Sequence, residues 1–346
     1  MGYRRTITTV GIHAEGAHNE VITGGVLDVP GSSMFEKARY LEEHGDDLRQ
    51  FLLHEPRRKV AQCVNLVLPS SKPGVDAGFI IMESASYPPM SGTNTISAVT
   101  ALLETGILPM MEPFTDLVLE TPGGIIGVRA ECRDGHCVQV SIDNVPCFVF
   151  GLSVKLNVQG LGEIRADIAY GGMIYVIVDA ADVGLAIEPR YAKELVEIGE
   201  RIKAAAAVQV EATHPENPGI HTVNQTLFTT PAHRLDAKTL TARNTVVVSP
   251  GRLDRSPCGT GTSARLAVMH ARGEIGVGDT FVHESIIGTR FTGRIRQVVE
   301  IGSRKGIVPT ISGRGWITGF HTHVLDPTDP LPTGYRLSDT WPSQPS

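Results

Sequence analysis

Two short segments of the chain resemble each other, and each carries one side chain that could react. Ser91–Thr95 reads Ser-Gly-Thr-Asn-Thr, Cys258–Thr262 reads Cys-Gly-Thr-Gly-Thr, and apolar residues with helical spacing follow both. A helix N-terminus presents backbone N–H groups without intrahelical partners and a partial positive charge. This environment favours the thiolate of a cysteine and can hold a carboxylate. The pair therefore predicts a hydroxyl and a thiol that exchange protons with one small anion.

This hypothesis depends on the repetition, because either segment alone is more typical of an ordinary helix cap and turn. Asp254 lies shortly before the thiol and is a candidate for binding an ammonium group. Its alternative role is to stabilise the turn that leads into the helix. The segment Cys132–Cys137 has two cysteines and a histidine in a hairpin-like sequence, but no second pair of ligands follows. We therefore expect no metal site there.

The elements that must position the two segments follow from hydrophobic patterning. The helices after Ser91 and Cys258 are apolar on most sides, and a helix of that kind is buried on most sides. Each half of the chain also contains many strands and one amphipathic helix, predicted over 33–53 and 191–208. The pattern predicts an α+β architecture in which a sheet surrounds a central helix in each half.

Length and composition limit the class of protein. A chain of 346 residues predicts two domains. A formal net charge of −6 without a basic stretch argues against a nucleic-acid-binding protein, and no segment is apolar enough over the length of a membrane span. Five cysteines without a secretory signal predict a reduced, cytoplasmic protein. The glycine-rich motifs that bind dinucleotides or phosphates are missing, so no nucleotide or flavin cofactor is implied.

Five segments give the chain a resemblance to a known family. In chain order they are His13–Gly16, Glu55–Arg57, Pro89–Gly92, Ala169–Gly172 and Asp254–Thr262. Together they resemble the proline racemase family, which shares the wider architecture of diaminopimelate epimerase. The last segment is highly specific, and the other four support it over nearly the whole chain.

The resemblance implies two pseudosymmetric domains, each an antiparallel β-barrel-like sheet around a central α-helix. The N-terminal domain would comprise residues 1–155, completed by 318–346, and the C-terminal domain residues 156–317. The resemblance also implies a proline-like small-molecule substrate with no cofactor and no metal, and a homodimer stays open. Ser91 and Cys258 take the catalytic positions. The substrate-binding residues would be Gly92, Thr93, Asn94, Asp254, Gly259 and Thr260.

Two departures from the family pattern decide which reaction we expect. Ser91 stands where racemases and epimerases of the family have a first cysteine, and Thr93 stands where a histidine commonly follows. A serine hydroxyl is a much weaker acid than a thiol, so it is a poor partner in symmetric proton exchange near neutral pH. Elimination needs less symmetry, because one base takes the α-proton while an acid helps the β-hydroxyl leave. The resemblance to members with one hydroxyl residue therefore implies a lyase that dehydrates trans-3-hydroxy-L-proline to Δ1-pyrroline-2-carboxylate.

Two alternatives stay open at this stage. One is an isomerase, a 4-hydroxyproline 2-epimerase or a proline racemase. The other is a non-catalytic binder of proline-like ligands, although the intact Asp254–Thr262 segment weighs against it. The residue that removes the α-proton is also open, because acidity favours Cys258 as the base whereas stereochemistry could assign that role to Ser91.

Overall fold

Two compact units make up the chain in this computed structural model. Met1–Ile142 and Gly313–Ser346 form the first unit, and Asp143–Ser312 forms the second. The structure describes residues 5–84, 86–248, 251–338 and 341, so part of the predicted segment 318–346 lies outside the described residues.

The boundaries expected from sequence at 155/156 and 317/318 fall inside two continuous strands, Cys147–Val158 and Gly315–Leu325. Each of these strands pairs with a neighbouring strand on both sides of the expected boundary. A hydrogen-bonded ladder holds a strand to its neighbour along its length, so each strand belongs to one unit.

The elements are numbered in chain order. The first unit begins with β1 (Arg5–Ala14), β2 (Ala17–Gly24), α1 (Met34–His44), α2 (Asp47–Leu53), β3 (Cys63–Leu68), β4 (Ala77–Met82), α3 (Gly92–Glu104), β5 (Phe114–Thr121), β6 (Gly124–Arg133) and β7 (His136–Asp143). The second unit contains β8 (Cys147–Val158), β9 (Gly162–Tyr170), β10 (Ile174–Asp179), α4 (Ala192–Gln209), β11 (Gln225–Thr229), β12 (His233–Arg234), β13 (Thr239–Val248), β14 (Arg252–Leu253), α5 (Gly259–Ala271), β15 (Thr280–Glu284), β16 (Arg290–Ile301) and β17 (Arg304–Gly313). The chain then returns to the first unit as β18 (Gly315–Leu325).

Across the described ranges, no helix combines the length and apolar character needed to cross a membrane.

In the first unit a sheet surrounds α3. β1 pairs antiparallel with both β2 and β18, β2 pairs parallel with β3, and β3 pairs antiparallel with β4. β4 pairs parallel with β5, which begins the antiparallel series β5, β6 and β7. α3 packs against β1, β2, β3 and β18, and all its residues from Asn94 to Leu103 are buried. The helix after Ser91 is therefore central, as its apolar pattern predicted.

The second unit repeats this arrangement around α5. β8, β9 and β10 are antiparallel, β10 pairs parallel with β11, and β13 pairs parallel with β15. β15, β16 and β17 complete the sheet as antiparallel strands. α5 packs against β8, β9, β10 and β16, and every residue from Gly261 to Met269 is buried. α4 lies outside and buries only one stripe, as expected for an amphipathic helix: Leu195, Gly199, Ile202 and Ala206.

The single helix predicted over 33–53 is wrong, because the structure has two helices there. Ser33 caps α1 by accepting a hydrogen bond from the Glu36 backbone N–H at 3.2 Å. α1 ends at His44, the N–H of the next residue, Gly45, donates to Leu41 O at 2.9 Å, and α2 starts at Asp47. Glycine has a low helix propensity, which explains the break. Hydrophobic spacing conceals it because both helices pack on the same apolar cluster.

A close approach between the β9–β10 turn and α5 gives a test of this packing. A Cβ on Gly171 would lie 2.2 Å from Thr260 O and 2.5 Å from Ala264 N. We expect Gly171→Ala to lower the free energy of unfolding by about 1–3 kcal/mol, because the first turn of α5 must move away. Chemical denaturation measures this change.

The matched control is Gly127→Ala on β6, where no described atom lies within 4 Å of the added Cβ. We expect this control to change the free energy of unfolding by less than about 0.5 kcal/mol. Equal stability of the two variants would contradict the close packing of α5 on the turn.

Candidate active site

Ser91 lies at the N-cap of α3 in an extended conformation, with φ −157° and ψ 130°. Its carbonyl accepts the hydrogen bond from the Thr95 N–H at 2.9 Å, but its hydroxyl does not cap the helix. Instead Ser91 Oγ accepts a hydrogen bond from Asn94 Nδ2 at 2.9 Å and lies 3.3 Å from Thr93 Oγ1. The hydroxyl is thereby held by Asn94 and remains able to donate its own proton.

Cys258 begins α5 in a backbone conformation that a non-glycine residue rarely adopts, with φ 62°. Its N–H donates to Ser256 Oγ at 3.1 Å, and Ser256 donates from both its N–H and its hydroxyl to Asp254 Oδ1, at 2.8 and 2.9 Å. Cys258 Sγ accepts a hydrogen bond from the Gly261 N–H at 3.4 Å. Residues in such strained conformations concentrate at active sites, where the surrounding structure holds them in place.

Tyr175 on β10 is a further residue at the thiol, and sequence reasoning missed it. Its hydroxyl lies 3.4 Å from Cys258 Sγ and 2.6 Å from Thr260 Oγ1, and Thr260 Oγ1 lies 3.5 Å from the same sulfur. The Tyr175 side chain is almost completely buried. The one sequence signal was a hydroxyl group in a mostly apolar strand, and only the packing of β10 against α5 shows that this hydroxyl lies beside the thiol.

Burial dominates the acid–base properties of this loop. Desolvation, followed by the nearby negative charge of Asp254, raises the pKa of the Cys258 thiol to about 11. Hydrogen bonds from Tyr175, Thr260 and the Gly261 N–H act in the opposite direction. Burial also raises the pKa of the Asp254 carboxyl. The helix N-terminus does favour the thiolate, as the sequence predicted, because the Gly261 N–H lowers the pKa of Cys258, but in the free protein the cost of desolvation is larger.

The contacts group the candidate residues into two sets. In the first unit Asn94, which was predicted to bind the substrate, donates a hydrogen bond to Ser91. In the second unit Asp254 connects to Cys258 through Ser256, and Thr260 lies beside the thiol. The predicted backbone donors are the starting residues of the two helices: Gly92 and Thr93 in α3, Gly259 and Thr260 in α5.

A cluster of possible metal ligands lies in the first unit and shares no residue with these contacts. Among the described residues, Glu20, His321 and His323 bring their ligand atoms within 4.8 Å of one another. However, the guanidinium of Arg58 lies 2.7 Å from Glu20 Oε1 and 3.0 Å from His323 Nε2. The positively charged guanidinium at the same atoms disfavours binding of a metal ion, so we assign a structural role to the cluster.

Comparison with known proteins identifies the family. The proline racemase family matches residues 9–336, and the chain belongs to it.

Two similar solved structures match nearly the whole chain. One is a hydroxyproline epimerase from Agrobacterium vitis with bound trans-4-OH-L-proline, with 40% identity, 99% of this chain and 98% of that chain covered, and a TM-score of 0.87. The other is a probable proline racemase from Agrobacterium radiobacter K84 with bound carbonate, with 41% identity, 97% and 98% coverage, and a TM-score of 0.85.

A more distant structure confirms the predicted fold class. A phenazine biosynthesis protein of the PhzF family from Bacillus anthracis has 14% identity, 93% of this chain and 100% of that chain covered, and a TM-score of 0.59. This likeness concerns the fold alone. The α+β class of the diaminopimelate epimerase type, with a sheet around a central helix in each unit, is confirmed.

The Tyr175 contact predicts a change in thiol acidity. Tyr175→Phe removes a donor that favours the thiolate, so the pKa of Cys258 should rise by about one further unit. The pH dependence of Cys258 alkylation measures this shift, with the other cysteines protected or replaced. Tyr170→Phe is the matched control, because Tyr170 is also buried in this unit but has no hydrogen bond to Cys258 among the described contacts. Identical alkylation profiles for both variants would contradict the role of Tyr175.

Proposed function

We propose that this protein inverts the α-carbon of 4-hydroxyproline and uses its own side chains to move the proton. The observation that carries this proposal is 40% identity over 99% of the chain to a hydroxyproline epimerase with bound trans-4-OH-L-proline. It replaces dehydration as the leading hypothesis, because the similarity covers both units rather than one motif.

In the proposed reaction both loops bind one amino-acid substrate. The backbone N–H groups at Gly92, Thr93, Gly259 and Thr260 hold its carboxylate, as helix N-termini hold anions. The substrate ammonium binds at Asp254. A positive charge there offsets the repulsion that helps to raise the pKa of Cys258, so binding of the substrate promotes formation of the thiolate.

Cys258 then acts as the base in the proposed mechanism. Its thiolate accepts hydrogen bonds from Tyr175 and the Gly261 N–H, which stabilise the anion before it takes the α-proton. Ser91 returns a proton to the opposite face of the α-carbon. The Asn94 amide at 2.9 Å stabilises the oxygen of Ser91 when that proton leaves, which also makes the reverse reaction accessible.

Dehydration of trans-3-hydroxy-L-proline is the second candidate, and Ser91 is the observation that favours it. The weak acidity of serine slows delivery of a proton to carbon. In a 3-hydroxy substrate the electron pair left at the α-carbon can instead expel the β-hydroxyl, which leaves as water with a proton from Ser91. The resulting enamine tautomerises to Δ1-pyrroline-2-carboxylate.

One experiment separates these reactions. Purified protein is incubated in deuterated water with trans-4-hydroxy-L-proline, trans-3-hydroxy-L-proline or L-proline, and each mixture is followed by NMR. We expect deuterium at the α-carbon of the 4-hydroxy substrate with inversion. Pyrroline-2-carboxylate formed from the 3-hydroxy substrate, without inversion of the 4-hydroxy substrate, would establish the lyase instead. Binding without exchange would establish a non-catalytic binder and end both proposals.

Cys258→Ala should reduce α-proton exchange by at least about 100-fold, because general acid–base catalysis contributes on this scale. The rate of deuterium incorporation measures the loss. Cys147→Ala is the matched control, since Cys147 is another buried free cysteine of the second unit and should retain activity. Equal activity of the two variants would exclude Cys258 as the base.

Ser91→Cys tests the limiting step. A second thiol is a stronger acid than the serine, so the rate of inversion should rise relative to any loss of water. The protein is incubated with a mixture of the 4-hydroxy and 3-hydroxy substrates, and the ratio of inverted 4-hydroxyproline to pyrroline-2-carboxylate measures this change. Ser91→Ala should abolish inversion. An unchanged ratio in Ser91→Cys would show that the acidity of residue 91 does not limit the reaction.

A further inference from the structure

The peptide group between Pro257 and Cys258 is hydrogen-bonded on both of its edges. On one edge the Cys258 N–H donates to Ser256 Oγ at 3.1 Å. On the other edge the Pro257 carbonyl accepts from Asn244 Nδ2 at 3.1 Å and from Thr262 Oγ1 at 3.2 Å. The C=O and N–H groups of a trans peptide point in opposite directions, so these bonds together fix the orientation of the peptide plane.

This orientation determines the conformation of Cys258, whose φ of 62° lies in the left-handed region. The angle φ describes rotation about the N–Cα bond, so a change to an ordinary negative value would turn the peptide plane and break the bonds on both edges. A non-glycine residue keeps a positive φ only where the surrounding contacts hold it there. The bonds to the Pro257 carbonyl therefore help to hold Cys258 in place at the start of α5.

The matching segment of the first unit supports this connection. Thr95 corresponds to Thr262 when the two segments are aligned, and both side chains are fully buried. Thr95 Oγ1 donates to the carbonyl of Ser91 itself at 2.8 Å, whereas Thr262 donates to the carbonyl of the residue before Cys258. Ser91 has an ordinary extended conformation with φ −157°. The positive φ thus occurs in the unit whose threonine binds the carbonyl one position earlier.

His283 on β15 orients the hydroxyl of Thr262. The Nδ1 atom of this fully buried histidine lies 2.9 Å from Thr262 Oγ1. Burial, followed by the positive charge of Arg265, lowers the pKa of His283 well below its usual value, so the ring is neutral near pH 7. The single proton of the Thr262 hydroxyl is donated to Pro257 O, so its oxygen accepts from the Nδ1–H of His283. This second bond keeps the hydroxyl directed at the carbonyl.

We propose that Asn244 and Thr262 are positioning residues for Cys258. They hold the peptide that precedes the thiol, and His283 acts on the same peptide through Thr262. The arrangement keeps Cys258 Sγ beside the Gly261 N–H, whose nitrogen lies 3.4 Å from the sulfur. Its contribution to turnover rests on the proposed role of Cys258 as the base, whereas its hold on the backbone does not.

A spectroscopic test uses protein labelled with ¹³C at cysteine, because backbone carbon resonances respond to φ and ψ. The Cys258 resonance is assigned by its loss in Cys258→Ala. Thr262→Val keeps the shape of the side chain but removes the hydroxyl, so the Cys258 resonance should move from its position in the unchanged protein. Thr262→Ser keeps the hydroxyl and should keep the resonance in place.

The matched control is Thr100→Val on α3, the central helix of the first unit. Thr100 is equally buried, and its hydroxyl donates to Ile96 O at 2.8 Å. This variant loses a similar buried hydrogen bond without a change at the peptide before Cys258. Any loss of stability should therefore be similar to that of Thr262→Val, while the Cys258 resonance should stay unchanged.

Turnover tests whether this positioning serves the reaction. We expect Thr262→Val to lower kcat for α-proton exchange at least about tenfold, because a small displacement of a catalytic group is costly. KM should change by less than about threefold, because the backbone donors proposed to hold the substrate belong to the helices and remain in place. Thr262→Ser and Thr100→Val should keep the kcat of the unchanged protein.

Three results would overturn the proposal: an unchanged Cys258 resonance in Thr262→Val, an equal displacement of that resonance in Thr100→Val, or the same kcat in Thr262→Val and Thr262→Ser. If the unchanged protein shows no turnover, the proposed function fails, and the resonances alone decide the hold on the backbone. If Thr262→Val does not fold, His283 supplies a second pair. His283→Met removes the N–H donor and should move the Cys258 resonance, whereas His283→Gln keeps a donor and should not; equal resonances in this pair would also overturn the proposal.

Discussion

Desolvation at the start of a buried helix is the constraint on which the chemistry of the second unit depends. α5 lies inside the sheet, so Cys258 at its N-cap is removed from water and the pKa of its thiol rises to about 11. The positive end of the helix does not outweigh this cost. The polar groups around the sulfur act against this cost. Tyr175, Thr260 and the Gly261 N–H each favour the anion that burial disfavours.

The same architecture holds a different side chain in the first unit. Ser91 also lies at the N-cap of a buried helix, but its hydroxyl accepts a hydrogen bond from Asn94 and makes no bond to the helix backbone. Cys258, in contrast, accepts from the Gly261 N–H of its own helix. The two loops are thus similar in sequence and in position within their units, yet they support unequal acids. Because of this inequality, both an epimerase and a dehydratase are candidate functions for this member of the proline racemase family.

Local sequence explains much of the fold and some of the site. The apolar runs after Ser91 and Cys258 were sufficient to predict two central helices, because a helix without a polar face has to be buried. The break at Gly45 was missed because α1 and α2 pack on one apolar cluster and share its spacing. Strand pairing could not be predicted from local sequence, so the expected domain boundaries fall inside the ladders of β8 and β18.

The sequence by itself determined the family, the paired Ser91 and Cys258 segments and the type of fold, since these depend on residue identity and on periodicity along the chain. Only the tertiary structure decided that Tyr175 contacts the thiol, that burial raises the pKa of Cys258, and that the Arg265 guanidinium lies buried beside a cavity. The physical reason is that the degree of desolvation and the contacts across a sheet depend on residues far apart in the chain. Periodicity predicts that a residue is buried, but it does not predict what surrounds it.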